Sequence, residues 1–313
     1  MATPTPLTPT LAAPPKPPTP PAPRKRKRNI LLYGRSRAGK TALIGEMAEW
    51  VKKTEGKKTR LATADRGGIE TIMPYVDLGL IELVELGDDD PWIWLTKVVR
   101  GYVKDANGRW VDGKRDDIGL YAFESLTSVA DALMLSMAKK AAAGVNIGGG
   151  ANVAFTVSAD NESVKVSGNN MAHYGVAQSR VVEECWESQK LPGWLIWTAS
   201  VSKDDDVNSS GKVLGPAVAG KALTAEVPRW FQYTFRVDAI PAQMGQKERH
   251  ILYLGNQQDI GAGGATGLGN TRTPLDAPEL PTTIEPASLV KALELIQAGY
   301  APAVAAIKKR LGM

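Results

Sequence analysis

The sequence predicts an α/β protein built on a mostly parallel sheet, with helices on both faces and an antiparallel hairpin at one edge. Three observations predict it. Short apolar runs alternate with segments of helical period along most of the chain. The first of these runs end in Gly- or Asp-bearing turns that lead into helical pattern, the crossover that parallel strands require. Further along, "WFQYTFRVDAI" and "RHILYLGN" follow each other with no helical pattern between them, as the two arms of a hairpin do.

Residues 1–28 stand apart. Ten of the 21 prolines fall there, in "TPTPLTPTLAAPPKPPTPPAP", a composition that cannot bury a core and predicts a semi-extended, disordered arm. The arm also carries Lys16 and the run Arg24 to Arg28, six positive charges and no acid, so the overall charge of +5 belongs to it. Residues 29–313 sum to −1. A basic surface on the folded part therefore has to be a local patch. The "RKRKR" run reads either as a solvated charge run or as a contact to nucleic acid or another polyanion.

Order is expected from Asn29. "NILLYG" is an apolar run closed by glycine, and "TALIGEMAEWVKK" follows at helical spacing: strand, loop, helix. "TRLATAD" (59–65) is a second strand ending at the turn "RGG", and "LIELVEL" (80–86) is a third. "PWIWLTKVVRGYVK" (91–104) suits a helix with Pro91 in its first turn. A polar excursion, "NGRW" and "VDGKRDD", precedes a strand at 118–123 that passes into a long helix.

Residues 144–170, rich in Gly and Asn, read as an insert holding a small hairpin. "MAHYGVAQSRVVEECWESQK" is helical, "GWLIWTAS" (193–200) is a strongly apolar strand, and "VSKDDDVNSSGKVLG" is a loop. A Gly-rich loop spans 255–273. The division expected is therefore an arm at 1–28, a core at 29–282 and a C-terminal helical segment at 283–313.

Within the first unit lies Gly34, then four residues, then Gly39-Lys40-Thr41, directly after a strand and opening a helix. That is the P-loop pattern in its required context. Residues Gly34, Arg35, Ser36, Arg37, Ala38, Gly39, Lys40, Thr41 and Ala42 would form the cradle. Glycines let backbone N–H groups close around phosphates, and the helix N-terminus adds partial positive charge. Lys40 would reach the β and γ phosphates, and Thr41 would offer its hydroxyl to Mg²⁺.

Such a site needs a carboxylate at the end of a neighbouring strand. "LYAFESLT" supplies Glu124, which would hold the Mg²⁺ shell through water, act on the attacking water, or serve only as a helix N-terminal carboxylate. Asp65 ends the second strand, where it would position the attacking water or cap the "DRGG" turn. Thr198, in "LIWTAS", offers a hydroxyl toward the γ-phosphate or is a buried strand threonine. Arg35 and Arg37 are either solvated or turned toward a neighbouring subunit or polyanion.

As a series, "LLYGRSRAGKTAL", "RLATADRGG", "LYAFESLTSVAD", "HYGVAQSRVVEE", "WLIWTAS", "GKAL…VPRWFQYTFRV" and "TRTPLDAPELP" resemble the RecA-like P-loop ATPases carried by bacteriophages, including those tied to single-strand annealing and recombination. The resemblance spans about residues 29–282. In that family the acid at Asp65 is commonly Glu and the acid at Glu124 commonly Asp, so both depart in size.

The resemblance implies ATP and Mg²⁺ as ligands, ATP hydrolysis, a homo-oligomeric ring or filament, and single-stranded DNA as partner. It also implies a cation completing the site from a neighbouring copy, for which Arg272 in "NTRTPL" and Lys221 in "AGKAL" are the candidates. The expected work is in phage DNA recombination, repair or replication. Direct signs of DNA binding outside the arm are few: Asp204, Asp205 and Asp206 would repel phosphates, with only Lys203 and Lys212 beside them.

Three other classes are weighed. "SKDD" (202–205) imitates a guanine-reading motif, but Ser202 stands where the Asn amide is needed. A kinase would need a basic lid, and residues 261–270 hold no Lys or Arg. An ATPase motor or chaperone-like protein acting on a protein partner remains an alternative. Cys185 as the lone cysteine excludes an intramolecular disulfide, and with only His173 and His250 a Cys/His metal cluster is excluded too. No apolar run approaches the roughly 18 residues of a membrane span, so no membrane partner and a cytoplasmic protein are expected.

Overall fold

The computed structural model describes residues 28–65, 67–142, 154–159, 162–167, 171–205, 212–218, 221–242, 248–255, 257–259, 265–267, 270–271 and 279–312. The expectations for the proline-rich arm, for Arg272 and for most of the Gly-rich 255–273 stretch lie outside them.

Eight strands carry the main sheet: β1 (Arg28–Gly34), β2 (Lys58–Thr63), β3 (Ile81–Glu85), β4 (Ile118–Glu124), β5 (Trp194–Asp205), β6 (Tyr233–Ile240), β7 (Arg249–Tyr253) and β8 (Thr283–Ile284). Their order is β3-β2-β4-β5-β1-β6-β7-β8. The first six run parallel, and β7 and β8 are added antiparallel at one edge. Strand β5 lies between β1, which leads into the cradle, and β4, which delivers Glu124. With the crossovers helical, this is an α/β fold, a mostly parallel sheet with helices on both faces.

Parallel strands buried on both faces need apolar residues on both. On one side Leu31, Tyr33, Phe123 and Trp197 are covered by the helices α3 (Pro91–Val99), α4 (Leu126–Ala142) and α5 (Met171–Ser188). Phe123 and Trp197 stack there at 4.5 Å. On the other side Ile30, Leu32, Ile196 and Phe235 pack beneath α1 (Lys40–Glu55) and a late helix, Leu289–Ala298. Two short helices complete the run before it, α2 (Met73–Asp77) and α6 (Lys221–Glu226), so the late helix is α7 and the next, Tyr300–Arg310, is α8.

Helix α7 shares a core with α1. Leu289, Ala292, Leu293 and Ile296 are buried, and Glu46 of α1 accepts hydrogen bonds from the Leu289 and Val290 amides at its N-terminus. The stretch Leu289–Arg310 reaches a mean hydropathy of 1.2, long and apolar enough by composition to cross a membrane. In the fold it divides at Gly299, and the apolar face of α7 is committed to α1.

Two segments differ from expectation, and a third matches it. The helix predicted to Lys104 stops at Val99. Gly101 turns the chain at φ +83°, and Tyr102–Lys104 pairs antiparallel with Trp110–Asp112. The turn between them is tied by Asp105, whose Oδ1 accepts from the Asn107 and Arg109 amides. The loop predicted after Ser200 is largely a hairpin: β5 runs on to Asp205 and pairs with Lys212–Pro216. Within the 144–170 insert, Ala154–Ala159 and Glu162–Ser167 form the small hairpin expected there.

Candidate functional site

Strand β1 hydrogen-bonds on both sides, to β5 and to β6, and the cradle leaves its end. Gly34 is required at the exit, because a Cβ there would lie 2.0 Å from the Val237 carbonyl oxygen of β6. The loop then turns with Arg37 at φ 63° and Gly39 at φ 96°, both left-handed. Arg35, Ser36 and Arg37 are exposed while Ala38 is buried. Helix α1 starts at Lys40, with Gly39 as its N-cap and the Leu43 amide bonded to the Gly39 carbonyl. Arg35 lies 4.0 Å from Asp238 of β6 and remains largely exposed.

Lys40 folds back over the loop. Its Nζ donates to the Gly34 carbonyl at 3.0 Å and the Arg35 carbonyl at 2.8 Å. Burial holds its pKa below the ordinary lysine value, opposed by the charges of Glu124 and Asp65. Thr41, next on α1, donates from Oγ1 to Glu124 Oε1 at 2.5 Å. Glu124 is only 6 % exposed. Burial pushes its carboxyl above the ordinary range and the Asp65 charge adds to the shift, while the Thr41 bond and Lys40 oppose it. The peptide from Glu124 to Ser125 is cis.

Asp65 follows β2. Its amide is held by Thr63 Oγ1 at 3.0 Å, and its Oδ1 accepts from the Gly67 amide at 2.9 Å. It therefore caps the "DRGG" turn. Its other carboxylate oxygen faces inward: a Cβ built on Gly68 would lie 3.7 Å from Thr41 Oγ1, 3.8 Å from Asp65 Oδ2 and 3.9 Å from Glu124 Oε1. Gly68, which the sequence marked only as part of a turn, leaves open the point on which three oxygens converge.

Lys40, Thr41, Asp65 and Glu124 are thus brought together from α1, the β2 turn and β4. Thr198 is fully buried on β5 opposite Leu32 of β1, and by alternation it shares the α1 face with Ile196. Its hydroxyl has no hydrogen-bond partner among the described residues. It sits two positions below the level of Gly34, not within the oxygen cluster. Lys221 opens α6, but its side chain, like all of Arg272, lies outside the described residues.

One contact escaped sequence reasoning. His250 of β7 packs on the cradle, its Nδ1 3.0 Å from the Ala38 carbonyl oxygen. Nothing local in "KERHILY" signals it, because the two partners are 212 positions apart in the chain.

The donors present suit a hard cation shared with phosphate. Among the described residues no group of three or more His, Cys, Asp or Glu is placed to hold a metal alone. A hydroxyl and two carboxylates beside a phosphate cradle is the sparse, all-oxygen set that Mg²⁺ uses when substrate oxygens and water complete its shell.

No family model matches the sequence, and no curated protein matches it at a significant level. Among solved structures the chain is similar to a KaiC-like protein, PH0186, from the hyperthermophilic archaeon Pyrococcus horikoshii OT3. The two share 11 % identity over 72 % of this chain and 77 % of that one, with a TM-score of 0.38.

Proposed function

We propose that the protein binds Mg²⁺-ATP and hydrolyses it. The observation that carries this reading is the convergence of Thr41, Asp65 and Glu124 on the space left by Gly68, beside a cradle that already holds Lys40. When bound, Mg²⁺ would supply charge neutralisation to the phosphates. Thr41 would hold it through its hydroxyl oxygen. Glu124, by accepting the Thr41 hydroxyl hydrogen, leaves the lone pairs of that oxygen for the ion, and would hold the ion's shell through water. Asp65, with one oxygen spent on its own turn, has the other free to orient the attacking water. Thr198 is read as a hydroxyl that reports on the γ-phosphate once the cradle fills, a role its partnerless burial supports.

The hydrolysis is read as serving single-stranded DNA in phage recombination, repair or replication. The ordered series of RecA-like motifs and the six-charge arm ahead of a near-neutral core support this. In that reading the protein assembles with copies of itself, and Arg272 or Lys221 of one copy completes the site of the next.

The test is ATP turnover with and without single-stranded DNA, with GTP and duplex DNA as controls. Lys40→Ala should reduce turnover on the order of 100-fold or more with the circular dichroism spectrum unchanged; undiminished turnover would refute the site. Stimulation by single strands supports the DNA reading. Turnover indifferent to DNA moves the search to a protein partner.

A further inference from the structure

Resting on the nucleotide reading above, we infer that His250 is a positioning residue of the cradle: its imidazole fixes the Ala38–Gly39 peptide so that the Gly39 amide faces the phosphates. A carbonyl only accepts, so the 3.0 Å contact between His250 Nδ1 and the Ala38 oxygen requires the proton on Nδ1. The Ala38 C=O and the Gly39 N–H belong to one planar peptide and point in opposite directions. Holding the oxygen outward on the ring therefore holds the N–H inward.

This peptide needs such a hold. It lies between two left-handed residues, Arg37 at φ 63° and Gly39 at φ 96°, and a glycine there leaves the peptide free to rotate. The ring also packs on it directly: a Cβ at Gly39 would lie 3.3 Å from His250 Nδ1. The histidine is itself well anchored. It sits in β7 paired with Ala239 of β6, and its carbonyl accepts from the Ala287 amide at 2.8 Å. The cradle is thereby braced from the antiparallel edge of the sheet, a quarter that the P-loop motif itself does not specify.

An N–H pre-aimed at phosphate matters for ligands that place a phosphate in the cradle, and it should act alike on ADP and ATP. The loss of one net hydrogen bond corresponds to roughly fivefold in affinity. The experiment measures the dissociation constants of ADP and a non-hydrolysable ATP analogue, with Mg²⁺, for the wild type, His250→Ala and His250→Asn, beside thermal melts of each. Asparagine carries an N–H donor near the Nδ1 position. The expected result is binding weakened roughly fivefold in His250→Ala for both nucleotides and restored in His250→Asn.

Equal affinity in all three proteins overturns the inference while leaving the nucleotide reading intact. Weakening that asparagine fails to restore also overturns it, since packing alone then accounts for the ring. Absence of nucleotide binding by the wild type overturns both. Should His250→Ala melt early, His250→Gln replaces it as the loss variant, because its amide stands at the Nε2 position and presents no donor at Nδ1.

Discussion

Glu124 carries a conflict that sets its pH behaviour. The site needs a carboxylate, but burial favours the protonated form and raises its pKa above the ordinary 4.5. A group whose pKa is higher folded than unfolded supports the fold fully below the unfolded value and loses that support as the pH climbs through the folded one. Glu124→Gln should therefore raise the Tm of the ligand-free protein at neutral pH, with the gain fading as the pH falls through the raised folded value and gone below about 4.5; melting curves across pH check this. The same variant should lose hydrolysis at every pH. The sequence exposed this residue because it needed only a strand, an acid and a helix in succession. It exposed Lys40 and Thr41 through fixed spacing. Asp65 was legible in place but not in division of labour, since only the fold shows one oxygen on the Gly67 amide and the other facing Thr41.

At the level of elements, the strands were legible because apolar runs with both faces buried cannot be mistaken for polar connectors. The two small β-hairpins, at 102–112 and 201–216, were not. Their pairing is brief and their residues charged, so the signal lay in turn chemistry such as Asp105 and not in hydrophobic period. Packing limits at element joints are sharp. Gly34→Ala should cost about 3 kcal/mol and several degrees in Tm, because the methyl meets the Val237 carbonyl of β6 and not a movable side chain. Glu46→Ala removes the acceptor of two amides at the start of α7. It should cost about 1–2 kcal/mol in urea denaturation and loosen the α7–α8 pair first.

For the molecule as a whole, charge is split between residues 1–28, with six positive charges and no acid, and residues 29–313, which sum to −1. Removing residues 1–27 takes away five of the six arm charges. If the arm contacts polyanions, the slope of log affinity against log salt should flatten by up to about 3–4 for single strands; an unchanged slope would place the contact in the folded part. The α/β class was legible from the alternation of apolar runs with helical pattern, and the edge hairpin from its absence between two runs; the strand order was not. The long-range brace from His250 to Ala38 was not, because no local pattern encodes a pairing across most of the chain.

The cradle hangs from the strand at the middle of the sheet, bonded to a parallel neighbour along each edge. Amides of β1 should accordingly exchange with deuterium only through opening of the entire sheet, while the exposed Arg35–Arg37 tip exchanges early. A nucleotide gripped there has no peripheral unit to fray and escape by. Saturation at about 100 times Kd should slow exchange across the whole core by roughly 100-fold, equivalent to about 2.7 kcal/mol, and not only at the loop that touches the ligand.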